Sequence, residues 1–356
     1  MKNKVLNKIK NMSGWTDLIY SLFAIVVAFI IGAILIKISG YSVKTAYTTL
    51  FNGAFGNTYN FTQTLVKTIP LIFTGLAVAI GFQSGLLNIG AEGQLYWGAF
   101  ATTIIILIFP GLPALILIPI GIIAGALAGG AWAAVPGYLK AKTGAHEVVT
   151  TIMFNYIATL GTTFLIKNYF KAAGPVDQTA KIPEKARLPE LMANTGLSWA
   201  IFVGIATVIV ISYLLNRTSL GYDIKAVGEN ASAAEYGGIN SKRITVITMA
   251  ISGAVAGLAG SMIVMGVLHR FITNFSPGYG FTGIAVAVMG KNRPWGVLLA
   301  ALLFGALEAG GMSMQLFAKI PKDLMTVVQG LVILFVAAPS LYNIITGSKD
   351  TKEVEV

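Results

Sequence analysis

Residues 85–108 read GLLNIGAEGQLYWGAFATTIIILI. Its second half is an apolar run fit for a lipid bilayer, while its first half carries Asn88, Glu92 and Gln94. Whether this run crosses a membrane decides the fold, and the rest of the chain answers. Of 356 residues, 55% are hydrophobic and 11% charged, with a mean hydropathy of +0.76. A soluble domain carries about 25% charged residues. Apolar stretches of roughly 20 residues recur along the chain, each long enough to cross a hydrocarbon core of about 30 Å as a helix. The runs are continuous rather than alternating, which excludes a β-barrel.

The expected fold is therefore all-α, a polytopic transmembrane helical bundle. The candidate spans are 18–38, 62–82, 86–108, 113–139, 146–168, 199–215, 244–268, 281–290, 295–314 and 323–340. The short one, TGIAVAVMG, is too brief for a straight crossing, so a half-span or re-entrant element shielded by protein is expected there. The basic N-terminus MKNKVLNKIKNMSGWTD precedes a run too long for a signal-peptide core, and reads as leading into a retained first helix. Residues 1–17 and 341–356 are then polar ends flanking a transmembrane domain over 18–340.

The net charge of +11 comes from basic residues scattered between spans, not from a soluble basic domain, so nucleic acid is not the expected partner. More than half of the 25 Lys and Arg fall in segments that share a side with the N-terminal cluster. By the positive-inside rule both termini are cytoplasmic. Two polar loops then face opposite sides, residues 169–198 outside and 216–243 inside. No Cys is present, which removes disulfides and thiolate metal sites. His146 and His269 are expected on opposite sides and offer no metal constellation.

On a helix at 100° per residue, Asn88, Glu92 and Tyr96 share a face continued by Ala99, Thr102 and Thr103, while Gln94 and Trp97 point elsewhere. Glu92 would lie about 9 Å of rise from the inner end of its span. A membrane-embedded carboxylate should face protein or water, either lining a path or accepting hydrogen bonds that fix neighbouring helices. In the fifth span Thr151, Asn155, Thr159 and Thr162 share one face, suited to a polar uncharged solute or to interhelical hydrogen bonds. Near the C-terminus Glu308 and Gln315 face the same way, as do Thr326 and Gln329. Glu147 opens its helix as a favourable charge on the dipole. Gly121, Gly125 and Gly129, with Gly253 and Gly257, let helix backbones approach closely and carry no chemistry.

In the inner loop RTSLGYDIKAVGENASAAEYGGINSKRI, Asn230 is a plausible N-cap, ASAAEY a short helix, and Gly237 with Gly238 its stop. No GxxxxGK[ST] phosphate loop occurs, so ATP hydrolysis by that route is not expected of this chain.

Four segments, GLLNIGAEGQLYWGAF, TGAHEVVTTIMFNYIA, LGYDIKAVGENASAAEYGGINSKRI and GYGFTGIAVAVMGKNRPWG, together resemble permease subunits of ATP-binding-cassette importers. The class is that of branched-chain amino acids, ribose and simple sugars, and the likeness is greatest to its nucleoside branch, served by basic-membrane-lipoprotein-type binding proteins. The resemblance covers roughly residues 60–340. One departure is His146, where the pattern has Asn. The resemblance implies a cell-membrane permease paired with a second, homologous but not identical permease, a cytoplasmic ATPase holding ATP and Mg, and an extracytoplasmic substrate-binding lipoprotein. No cofactor is implied in this chain itself. By analogy Ala233, Ala234, Glu235 and Gly238 would contact the ATPase, and residues 169–198 the binding protein. Asn88, Glu92, Tyr96, Thr151, Asn155, Thr159, Glu308 and Gln315 are the candidates for a translocation path or gate. Transport of ribose or another simple sugar, and ion-coupled secondary transport, are the alternatives.

Overall fold

The computed structural model describes Phe23 and residues 25–337. The expected cytoplasmic ends, the start of the first span and the end of the last lie outside the described residues. Thirteen α-helices are described: α1 (Ile25–Ile38), α2 (Val43–Phe55), α3 (Thr58–Gln83), α4 (Ala91–Ile108), α5 (Ala114–Thr143), α6 (Glu147–Leu165), α7 (Ala200–Arg217), α8 (Ser219–Glu229), α9 (Ala231–Tyr236), α10 (Ser241–Ile263), α11 (Tyr279–Met289), α12 (Pro294–Ala318) and α13 (Lys322–Ala337). A π-helical turn extends α6 to Phe170 and another extends α10 to Leu268. Among the described residues, β structure is limited to two isolated bridges. Seven helices are long and apolar enough to cross a membrane, and three shorter apolar ones include α11. The protein is a polytopic helical membrane protein, and its short element is there: α11 rises only about 16 Å.

The chain divides into two compact units. One holds the described residues up to Gly56 and from Leu307 onward. Here α2 departs from expectation, since residues 39–61 were read as a connection. Ser42 caps it by accepting from Thr45 N, and Ala46, Leu50, Gly53 and Ala54 make its buried face. The Tyr47 hydroxyl donates to Phe29 O, tying α2 to α1.

The other unit, Asn57–Ala306, is built around α4, α5 and α10. A Cβ on Gly257 would lie 2.3 Å from Gly125 O, and one on Gly98 2.3 Å from Gly257 O. Only glycine permits backbones this close, as the four-residue spacing implies. Thr102 fastens the seam by donating to Gly121 O at 2.9 Å, with Ser261 Oγ 2.7 Å away. Helix α3 packs on α10 and α11. Segment 241–268 spans about 42 Å. Helices α8 and α9 lead into its start, and the 171–199 loop binds its far end through Leu188 N to Met265 O at 3.0 Å and Ile182 N to His269 O at 2.8 Å. The two polar loops are therefore at opposite ends of the bundle.

Candidate functional site

Helix α3 stops where Ser84 Oγ donates back to Gly81 O and Gly85 takes φ +71°. The chain stays irregular to Gly90, and α4 starts at Ala91. Asn88 therefore precedes the helix, and the expected Asn88–Glu92–Tyr96 face does not include it. The helical wheel assumed one continuous span, whereas the glycines at 85 and 90 break it.

Asn88 is fully buried. Its Nδ2 donates to Gln94 Oε1 at 3.0 Å and to Ser252 Oγ at 2.7 Å. Its Oδ1 accepts from Gln94 Nε2 and from Gly90 N, both at 3.0 Å. Gln94, expected to point away, is thus its paired partner. Ser252 passes the connection on by donating to Ala77 O at 2.6 Å. Because Ser252 is the midpoint of α10, this break is at the middle of the bundle, not near an end.

The buried start of α4 needs a cap, since Gly90 has no side chain to supply one. Asn155 of α6 supplies it from outside: Oδ1 accepts from Gly93 N at 2.8 Å, and Nδ2 donates to Ile89 O at 2.9 Å. Glu92, 6% exposed, accepts from Gly280 N at 2.6 Å, with the Ser276 hydroxyl beside it. One carboxylate therefore sits at the positive ends of two helices, α4 and α11, each favouring negative charge. A Cβ on Gly280 would come 2.3 Å from Glu92 N, so the two helix starts touch. Glu92 is deeper than the expected 9 Å from an inner end, because α4 begins deep in the bundle.

The remaining residues of the stripe are also engaged. Thr151 donates to Glu147 O at 2.7 Å, Thr159 to Asn155 O at 3.0 Å and Thr162 to Ala158 O at 2.7 Å. Tyr96 OH accepts from Ser276 N at 3.4 Å, and its ring packs 4.8 Å from that of Phe275 and 6.3 Å from that of Phe271. Glu147 opens α6, as its dipole role requires, and pairs with Lys140 at 2.8 Å. Glu308 and Gln315 belong to the other unit. There Glu308 is half-buried and Gln315 exposed.

A series of aromatic rings was not singled out from sequence. Phe170, Phe100, Trp97, Trp132 and Phe154 follow one another at centroid distances of 5.8, 5.6, 4.9 and 5.1 Å. The i, i+3 pair Trp97 and Phe100 was the available signal.

At the end bearing α8 and α9, Asn230 caps α9 by accepting from Ala233 N at 2.9 Å. Gly237 ends the helix, and Gly238 turns the chain at φ +87°. Ala234 is buried while Ala233, Glu235 and Gly238 are exposed. Glu235 accepts from the Ser241 hydroxyl. The inner loop also contains helix α8, and beside it Ser219, Asp223, Gly238 and Arg243 help line a groove of about 480 Å³. At the opposite end, hydrogen bonding and charge from Lys171 and charge from Lys167 hold the Asp177 carboxyl below its usual pKa. Burial, reinforced by Arg187, pushes the His269 imidazole down.

The bundle thus holds helices broken near its middle and cross-capped by buried Asn and Glu, between two structured polar ends. Residues 60–337 match the family described as branched-chain amino acid transport system, permease component. The guanosine ABC transporter permease protein NupP of Bacillus subtilis (strain 168) is 38% identical over 95% of this chain and 98% of its own. The nucleoside ABC transporter permease protein NupB of Lactococcus lactis subsp. cremoris (strain MG1363) is 36% identical over 91% of each. The glucose ABC transporter permease protein TsgB13 of Haloferax volcanii is 31% identical over 94% of this chain and 90% of its own. The chain belongs to this ABC permease family.

Proposed function

We propose that this chain is the permease subunit of an importer that moves a nucleoside across the cell membrane. The substrate arrives on an extracytoplasmic binding lipoprotein, and a separate cytoplasmic ATPase, holding ATP and Mg, supplies the energy. One observation carries the substrate: 38% identity, over nearly the full length of both chains, to a permease named for guanosine. A sugar is the second reading, supported by the 31% identity to a glucose permease.

Both termini are cytoplasmic in this proposal, so α8 and α9 face the ATPase and the 171–199 loop faces the binding protein. Ala233, Glu235 and Gly238 make the coupling contact, with Ala234 buried behind them rather than in it, a role supported by the exposure and separate cap of α9. A homologous but not identical permease completes the path. Nucleotide-driven motion at α9 shifts helices between outward-open and inward-open states. Asn88, Glu92, Thr151, Asn155 and Thr159 shape the path by fixing the break at its centre, since their polar atoms already have protein partners. Tyr96 borders it.

The deciding experiment is uptake of labelled guanosine, uridine, ribose and glucose in cells with the chain intact or deleted, with ATP and the proton gradient varied independently. Loss of ATP-dependent nucleoside uptake alone is expected. Loss of sugar uptake alone moves the substrate to the second reading. Dependence on the gradient with ATP absent overturns the importer mechanism.

A further inference from the structure

The end of the bundle that bears α8 and α9 leaves one large aromatic ring uncovered. Tyr236, the last residue of α9, is 96% exposed, whereas Ala234, two residues earlier and about 160° around the helix, is buried. The ring therefore points away from the bundle. Helix α9 has its own cap at Asn230 and its own stop at Gly237, so the ring is presented from a defined turn. An aromatic side chain held out in this way on a polar loop is suited to anchor a protein contact.

Next to Tyr236 in the chain, the turn at Gly237 and Gly238 borders the groove of about 480 Å³. One wall of that groove is the beginning of α8, with Leu220 and Asp223, and the other is the beginning of α10, with Arg243 and Ile244. Leu220, Ile239 and Ile244 give it an apolar lining. Asp223 and Arg243 put opposite charges on the two walls, and neither forms an ion pair with a described residue. Arg243 is exposed and Asp223 half-buried, so both can be reached from outside.

We infer that the ATPase holds this chain at two points: Tyr236 enters an apolar pocket of the ATPase, and a segment of the ATPase enters the α8–α10 groove, setting an acidic side chain on Arg243 and a basic one on Asp223. The inference rests on the importer reading above and carries the contact from α9 onto α8 and α10. The two points do different work. A buried aromatic anchor supplies affinity, while two fixed charges of opposite sign reject any ATPase that offers a like charge at either wall. The groove also reaches the broken helices through one rigid element. Arg243 stands at the start of α10, and Ser252, which accepts from Asn88, lies nine residues further along the same helix, about 14 Å of rise away. A segment that shifts the groove therefore pulls on the helix to which the break is bonded.

The test titrates the ATPase subunit onto the full-length permease in detergent and reads its affinity. Tyr236→Ala should weaken binding about thirty-fold or more, and Tyr236→Phe, which keeps the ring, by less than about three-fold. Arg243→Glu and Asp223→Lys should each weaken it by roughly ten-fold, a deficit that narrows as salt is raised. The melting temperature of the permease alone should hold in all four. A photoreactive phenylalanine analogue at position 236 of the otherwise unaltered chain should cross-link to the ATPase. If the ATPase binds the unaltered chain and binds Tyr236→Ala, Arg243→Glu and Asp223→Lys as tightly, the two-point contact is wrong and the importer reading stands. If no ATPase binds the unaltered chain, the importer reading fails and the contact falls with it. Cross-linking from position 236 to lipid or to a second copy of this chain, with the ATPase bound but unlabelled, gives the ring to that occupant and overturns the proposal.

Discussion

The break around Asn88 and the aromatic face around Trp97 are a few residues apart and treat polarity in opposite ways. At the break, the side-chain nitrogen and oxygen of Asn88 and Asn155 are all matched within the protein. At Trp97 a buried donor is left over. Polar groups in membrane spans are thus not all matched. The conspicuous ones hold the frame, while Trp97 Nε1 and the Thr248 hydroxyl of α10 are left without partners.

The contrast makes the frame the place where substitutions damage folding most. Asn155→Leu leaves Gly93 N and Ile89 O buried without partners, at about 1–3 kcal/mol each. We expect the largest drop in detergent melting temperature from this variant, and an unchanged melt would break the comparison. Glu92→Ala should follow at about 2 kcal/mol, because it strips a charge-assisted bond from Gly280 N and an anion from two helix starts. Glu92→Gln keeps an acceptor and should lose about half as much. If Glu92→Gln abolishes transport with its melt unaltered, the charge acts in the path and the frame assignment for Glu92 is wrong.

Smaller effects sharpen the same contrast at the two ends. Gly238→Ala forces a Cβ onto a left-handed residue at about 1 kcal/mol, which should weaken coupling of ATP hydrolysis to uptake while the transmembrane melt stays put. The smallest effect is at Asp177. Its folded pKa is depressed, so its stabilising pair with Lys171 is present above the unfolded value of about 3.9 and is lost as pH falls through the folded value. Proteolytic nicking of the loop should rise only in that acid range, and Lys171→Met should reduce the pH dependence, with Lys167 left to pair with Asp177.

Much of this was legible in the sequence. The spans, the short element at α11, the Asn230-capped helix and the glycine seam follow from run length, cap chemistry and four-residue spacing. Two things were hidden for a physical reason. A helical wheel presumes an unbroken helix, so it could not see that Gly85 and Gly90 detach Asn88 from the face of Glu92 or turn Gln94 toward Asn88. The ring series joins residues from α4, α5 and α6, and no single-helix periodicity links them. Helix α2 was missed because a 13-residue, Thr-rich amphipathic element falls below the length that marks a span, although Ser42 and its buried face were readable.

The glycine seam of α4, α5 and α10 has a consequence for anyone who mutates this protein at scale. Where Gly98, Gly125 and Gly257 meet, even one methyl group has no room. A saturation library would record a stripe of intolerance along these helices as deep as that of any binding residue. The stripe would measure interhelical distance and say nothing about cargo, so a map of essential positions must be read against the packing before it is read as a map of the route.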